Sequence, residues 1–91
     1  MNTETLKKII SQEKDENQQQ YHLVLFNDDV NTFEHVIDLL IKYCNQDAIQ
    51  AEQCATLVHF KGRCSVKKGV YKDLSSIAEI LAVNGLTVEI N

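Results

Sequence analysis

The stretch "LVLFNDDVNTFEHVIDLL", Leu23 to Leu40, decides how this chain folds. An apolar run stops at Asn27-Asp28-Asp29, and a helical pattern starts almost at once. From Tyr21 to Asn27 the residues suit a strand. Tyr21, Leu23 and Leu25 fall on one face; His22, Val24 and Phe26 fall on the other. Both faces are mostly apolar, so the spacing predicts a covered strand rather than an exposed edge. Phe33, Val36, Ile37, Leu40, Ile41 and Cys44 then recur at helical spacing as one apolar stripe. Asn31, with Glu34 three residues later, resembles a capping box in which Asn replaces Ser or Thr.

Working outward, a second helix is expected from Asp47, whose side chain can cap it with Gln50 at the third position. Ala48, Ala51, Ala55 and Val58 mark its inner face, and these small residues allow close packing. Gly62 is placed to end it in a left-handed conformation. Arg63 to Gly69 alternates weakly, with Cys64 and Val66 on one face, and reads as a strand. Leu74, Ile77, Ala78 and Leu81 give a third helix, stopped by Asn84-Gly85. Leu86, Val88 and Ile90 alternate with Thr87 and Glu89 in a closing strand. The order is β-α-α-β-α-β. Three strands cannot bury themselves alone, so the expected fold is α/β (α+β): one domain, its small three-stranded sheet packed against three helices.

The chain has 91 residues, no proline and three glycines, which suits regular elements joined by short turns. Residues 1–20 differ from the rest and end in a polar, Gln-rich run. They are expected to form a flexible arm, leaving 21–91 as the core domain. Lys plus Arg is 9 against 13 Asp plus Glu, a net charge of −4. Nucleic-acid domains show a basic patch or stripe; Lys61, Arg63, Lys67 and Lys68 are the nearest approach to one, and nucleic-acid binding is not expected. No apolar run approaches the ~20 residues of a membrane span, and the N-terminus lacks a signal-peptide apolar core. A cytoplasmic monomer is expected. Cys44, Cys54 and Cys64 are odd in number with no C-x-x-C pair. They read as reduced thiols, not as a disulfide framework or a zinc site. No metal or cofactor is expected.

Asn27, Asp28 and Asp29 present more acceptor capacity than a turn uses. A calcium loop would need a central Gly and alternating oxygen ligands, which "NDDVNTFE" lacks. A catalytic carboxylate pair is weak, because adjacent turn residues point apart and no nucleophile is signalled nearby. The remaining complement is an ammonium group, such as the free α-amine of a polypeptide. His59, near the end of the second helix, reads either as a satisfied structural residue or as a third acceptor. A Cys54–His59 nucleophile is the enzymatic alternative. Five residues apart on one helix, the two do not share a face, and no orienting group is evident.

The segments "LFNDDVNTFEHVIDLL" and "AEQCATLVHFKGR" resemble the ClpS adaptor of the Clp protease system. The pattern is an apolar strand, N-D-D, and an amphipathic helix, followed some twenty residues on by V-H-aromatic-x-G-[KR]. Val58-His59-Phe60-Lys61-Gly62-Arg63 matches that second block. The resemblance covers Tyr21 to Asn91 and is tight from Leu25 to Arg63. It implies a non-enzymatic adaptor that binds substrates through a large hydrophobic N-terminal residue (an N-degron). The adaptor hands them to the N-terminal domain of an AAA+ Clp unfoldase of ClpA or ClpC type. It also implies that Asn27, Asp28 and His59 hold the α-amine, and that Asn31, Phe33, Val36, Ala55, Val58 and Leu86 line the side-chain pocket. Two positions depart from the family: Phe33 stands where relatives carry a gating Met, and Ala55 where they usually carry Met. Beyond Gly62 the chain is shorter than its relatives by roughly eight residues, so no docking residues are carried over from there. The rival reading is a regulatory docking module on a Clp-type or ribosomal partner, with no N-degron binding and with Phe33 filling the pocket.

Overall fold

A computed structural model describes residues 19–91. Nearly all of the expected arm therefore lies outside the described residues. The elements are β1 (Gln20–Phe26), α1 (Phe33–Tyr43), α2 (Ala48–Lys61), β2 (Arg63–Val70), α3 (Tyr71–Val83) and β3 (Thr87–Ile90). This is the expected order, with β1 starting one residue earlier than the pattern suggested.

The sheet runs β2-β1-β3, and both pairings are antiparallel. β1 is central because it carries the longest apolar run: Leu23, Val24 and Leu25 are all buried. Leu23 and Leu25 join Leu39, Leu40, Ala51, Val58, Leu74, Leu81 and Leu86 in one core between sheet and helices. Five leucines there are sealed from water: 23, 25, 40, 74 and 81. Each contributes about 1.5–3 kcal/mol through burial.

As expected, β1 is a covered strand and not an edge. On its other face Val24 is buried outside the main core, while His22 is exposed. Arg63 lies over the Phe26 ring at 5.6 Å, and His22 Nδ1 meets Ser65 Oγ at 3.0 Å. Between Leu23 and Val24 the register with β2 shifts, so that Leu23 faces Lys67 while Val24 faces Ser65. This β-bulge leaves Val66 as the extra residue, which is buried in the core.

The first helix begins one residue later than its sequence signal. Thr32 is the N-cap, with the His35 backbone N–H donating to its Oγ1 at 3.1 Å. Asn31 is engaged elsewhere, so the Asn31–Glu34 capping box does not form. The inward stripe is also rotated. Leu39 is buried, whereas Phe33 and Ile41 stay 39% and 40% exposed. In α2 the capping box does form: Gln50 N–H donates to Asp47 Oδ1 at 2.8 Å, and Asp47 N–H to Gln50 Oε1 at 3.4 Å. Gly62 ends the helix at φ 92°, in the left-handed region that glycine enters freely. Ala51, Ala55 and Val58 are buried as expected, but Ala48, at the helix start, is exposed.

Candidate functional site

The turn after β1 is built around one carboxylate. Asp28 Oδ1 accepts from the backbone N–H groups of Val30 and Asn31, at 3.1 and 3.0 Å. The Asn31 side-chain amide donates to both Asp28 oxygens, at 2.9 and 2.8 Å. Burial pushes the Asp28 carboxyl up. The donors from Asn31 and Val30 outweigh that and hold it below its ordinary value. Asp28 is therefore a pinned anion, with Oδ1 crowded and Oδ2 taking a single donor.

The same Asn31 amide donates to the Gly85 carbonyl at 2.9 Å. One residue thus ties the β1–α1 turn to the α3–β3 turn. His35 adds a second tie, its Nε2 meeting the Asn84 carbonyl at 2.9 Å. Gly85 has φ 93°, and a Cβ there would meet Asn31 Oδ1 at 3.5 Å. Glycine supplies the left-handed turn conformation, while the space beside Asn31 would admit a Cβ. These two ties bring Leu86 under the turn.

Asn27 is placed differently. Its backbone N–H donates to the Gly62 carbonyl at 2.9 Å, which joins the end of β1 to the end of α2. Its carboxamide has no hydrogen-bond partner among the described residues. His59 is exposed and makes an edge contact with Phe60, ring centroids 4.8 Å apart. It has no hydrogen bond among the described residues.

These groups surround one cavity of about 60 Å³. Its wall is made by Leu25, Phe26, Asn27, Asp28, Asn31, Thr32, Phe33, Val36, Ala55, Val58, His59 and Leu86. All nine residues expected from the sequence lie there. The polar ones sit at the sheet end, and Val36, Ala55, Val58 and Leu86 make the apolar part. Asp29 is exposed and stands outside it. Leu25, Phe26 and Thr32 were not anticipated; their signal was their position, flanking the turn on either side. Phe33 lines the cavity without filling it.

A wider and more open concavity, about 520 Å³, is lined by Cys54, Gln46, Lys67 and Lys68 among others. The smaller cavity is the better candidate, because unpartnered acceptors and apolar wall converge there. Cys54 faces the larger space and His59 the smaller, so the pair forms no nucleophile. Among the described residues no cluster of His, Cys, Asp and Glu is arranged to hold a metal ion. No helix among them is long and apolar enough to cross a membrane.

Sheet, helices and cleft together define a small two-layer α/β domain with an acceptor-rimmed apolar cleft. The chain belongs to the ClpS family: the model described as "ATP-dependent Clp protease adaptor protein ClpS" matches residues 16–89. It is 35% identical over 69 residues to the ClpS adapter of Thermosynechococcus vestitus, covering 75% of this chain and 73% of that one. It is also 32% identical over 82 residues to the mouse E3 ubiquitin-protein ligase UBR1, covering 82% of this chain but only 5% of that protein's length. Its fold matches Agrobacterium tumefaciens ClpS2, solved bound to L-phenylalaninamide, with a TM-score of 0.69 at 17% identity. That match covers 79% of this chain and 94% of the other.

Proposed function

We propose that this protein is a substrate adaptor that binds the free N-terminal residue of proteins bearing a large hydrophobic N-degron. It would deliver them to the N-terminal domain of an AAA+ Clp unfoldase. The observation that carries the reading is the pairing, in one cavity, of two unpartnered acceptors and a pinned carboxylate with an apolar wall. A charged amine is costly to desolvate unless each N–H finds a partner. Asn27 Oδ1, Asp28 Oδ2 and a His59 nitrogen supply three acceptors, each worth about 1.5–3 kcal/mol to a cation. The first side chain adds about 1.5–3 kcal/mol by burial against Val36, Ala55, Val58 and Leu86. After association costs, affinity of roughly micromolar strength or tighter follows.

Fluorescence anisotropy with peptides starting in Leu, Phe, Met and acetyl-Phe tests this on the native chain and on Asp28→Ala. Binding should depend on the free amine and be lost on acetylation. Equal affinity for Leu-, Phe-, Ala- and Val-starting peptides would remove the side-chain pocket. No binding to any of them would favour the docking module with an idle cleft.

A further inference from the structure

On the flank of α2 turned away from the cleft, two thiols are in contact. The Cys64 S–H donates to Cys54 Sγ at 3.1 Å. Gln46 Nε2 donates to the same sulfur at 3.5 Å, and is itself fixed by a bond to the Val66 carbonyl at 2.8 Å. Both thiols also approach the Ser65 carbonyl, Cys64 at 3.5 Å and Cys54 at 3.9 Å. Both are half-buried, and Cys54 opens onto the wide concavity beside Lys67 and Lys68. The third thiol, Cys44, is buried in the wall of the same concavity and makes no contact with either sulfur. The proposed amine cleft uses none of these groups. Cys54 and Cys64 both pack against the edge of the core, yet their sulfurs are in contact and one has a path to solvent.

We propose that Cys54 and Cys64 form a redox-active dithiol, which a peroxide-class oxidant closes into an intramolecular disulfide that staples the middle of α2 to the start of β2. Cys54 is the attacking sulfur. It receives the Gln46 N–H and the Cys64 S–H, and it faces the open concavity. Its thiolate attacks one peroxide oxygen, the O–O bond breaks, and hydroxide leaves; Cys54 becomes a sulfenic acid. Cys64 sulfur then attacks the Cys54 sulfur. The S–S bond forms, the S–O bond breaks, and the departing hydroxide takes the Cys64 proton as water. The dithiol loses two electrons and the peroxide gains them. Burial, together with the S–H bond to Cys54, pushes the Cys64 thiol up to about 12. Cys64 thus stays protonated until its partner is oxidised.

The staple encloses three residues of the cleft wall: Ala55, Val58 and His59. It also includes Gly62, whose carbonyl holds the Asn27 backbone. Cross-linking so short a loop restricts local opening of the last turns of α2. The dithiol chemistry stands whether or not the cleft binds N-termini, so its test uses no peptide.

The full chain is treated with a small excess of hydrogen peroxide, then alkylated, weighed intact and digested. The mass should fall by two hydrogens, one alkylatable thiol should remain, and the linked peptides should be those of Cys54 and Cys64. Hydrogen exchange of the amides between them should slow by about tenfold or more and recover with reductant. Cys44→Ser should behave as the native chain does. Cys64→Ser should stop at a Cys54 sulfenic acid that a dione reagent traps. Cross-linked chains, a disulfide involving Cys44, or three alkylatable thiols after peroxide would overturn the dithiol. Unchanged exchange in the oxidised chain would overturn the staple.

Discussion

The junctions that lead into the first two helices use their acceptors in opposite ways. Before α2, the Asp47 carboxylate accepts from Gln50 N–H, and Gln50 returns the bond to Asp47 N–H. That junction closes on itself. Before α1, Thr32 alone does the capping. Asp28 is spent on shaping the turn, Asn31 on tying two turns together, and the Asn27 carboxamide on nothing within the described residues. A junction that needs only a cap has been given three further polar side chains. The surplus lies on the wall of an apolar cleft. A helix start that satisfies itself is structural; one that keeps an unpaired acceptor beside a pinned carboxylate is where the proposed amine would find its partners.

The sharpest way to break this contrast is Asp28→Ala. It removes a charged acceptor and the centre of the turn. Peptide affinity should drop by roughly thirtyfold or more, since a lost charge-assisted bond of about 1.5–3 kcal/mol is over tenfold in binding. Stability should fall by about 1 kcal/mol, because two backbone N–H groups lose their acceptor. Urea unfolding beside peptide titration measures both. Full affinity in Asp28→Ala would refute the carboxylate's part in recognition.

Asn27→Ala should separate the two properties. Its amide has no internal partner, so stability should stay within about 0.5 kcal/mol. Affinity should still fall by about tenfold. Asp47→Ala should do the reverse. Losing a capping box costs about 0.5–2 kcal/mol of stability, with peptide affinity unchanged. If Asn27→Ala proved destabilising and Asp47→Ala impaired binding, the contrast between the junctions would be wrong.

Local rules carried most of this into the sequence. The strand-to-helix switch of period at Asn27, the Asp47–Gln50 box and the Gly62 stop are all short-range signals, and each formed as read. The cleft residues were legible because two motif blocks, each tied to its own element, meet in space. What was hidden depends on long-range contact. Asn31 looked like a cap, since nothing near it in sequence announces a Gly85 carbonyl 54 residues away. Its loss to that tie hands the cap to Thr32. Phe33 and Ile41 suited the apolar stripe by period. The core took Leu39 instead, because where the sheet sits decides which side of a helix faces inward. Cys54 and Cys64 looked scattered for a similar reason: ten residues apart, they face each other only after the chain reverses at Gly62.

The finest test concerns Asn31, whose two readings differ in what they do to a neighbour's proton. As a cap, it would leave Asp28 alone when removed, and α1 would fray. As a tie, Asn31→Ala removes the side-chain amide from both carboxylate oxygens. The backbone N–H groups of Val30 and Asn31 remain. The Asp28 carboxyl should then titrate higher than in the native chain, read by NMR of its side-chain carbon. The sign for stability follows. A carboxyl whose folded value is depressed contributes stability that is whole above its unfolded value, about 3.9. That contribution is lost as pH falls through the folded value. Raising the folded value shrinks it, so the Asn31→Ala chain should lose less stability on acidification than the native chain does. Because Asp28 is held by several donors and lies near solvent, the change should be the smallest of the four. An Asp28 titration that does not move would return Asn31 to the role its sequence first suggested.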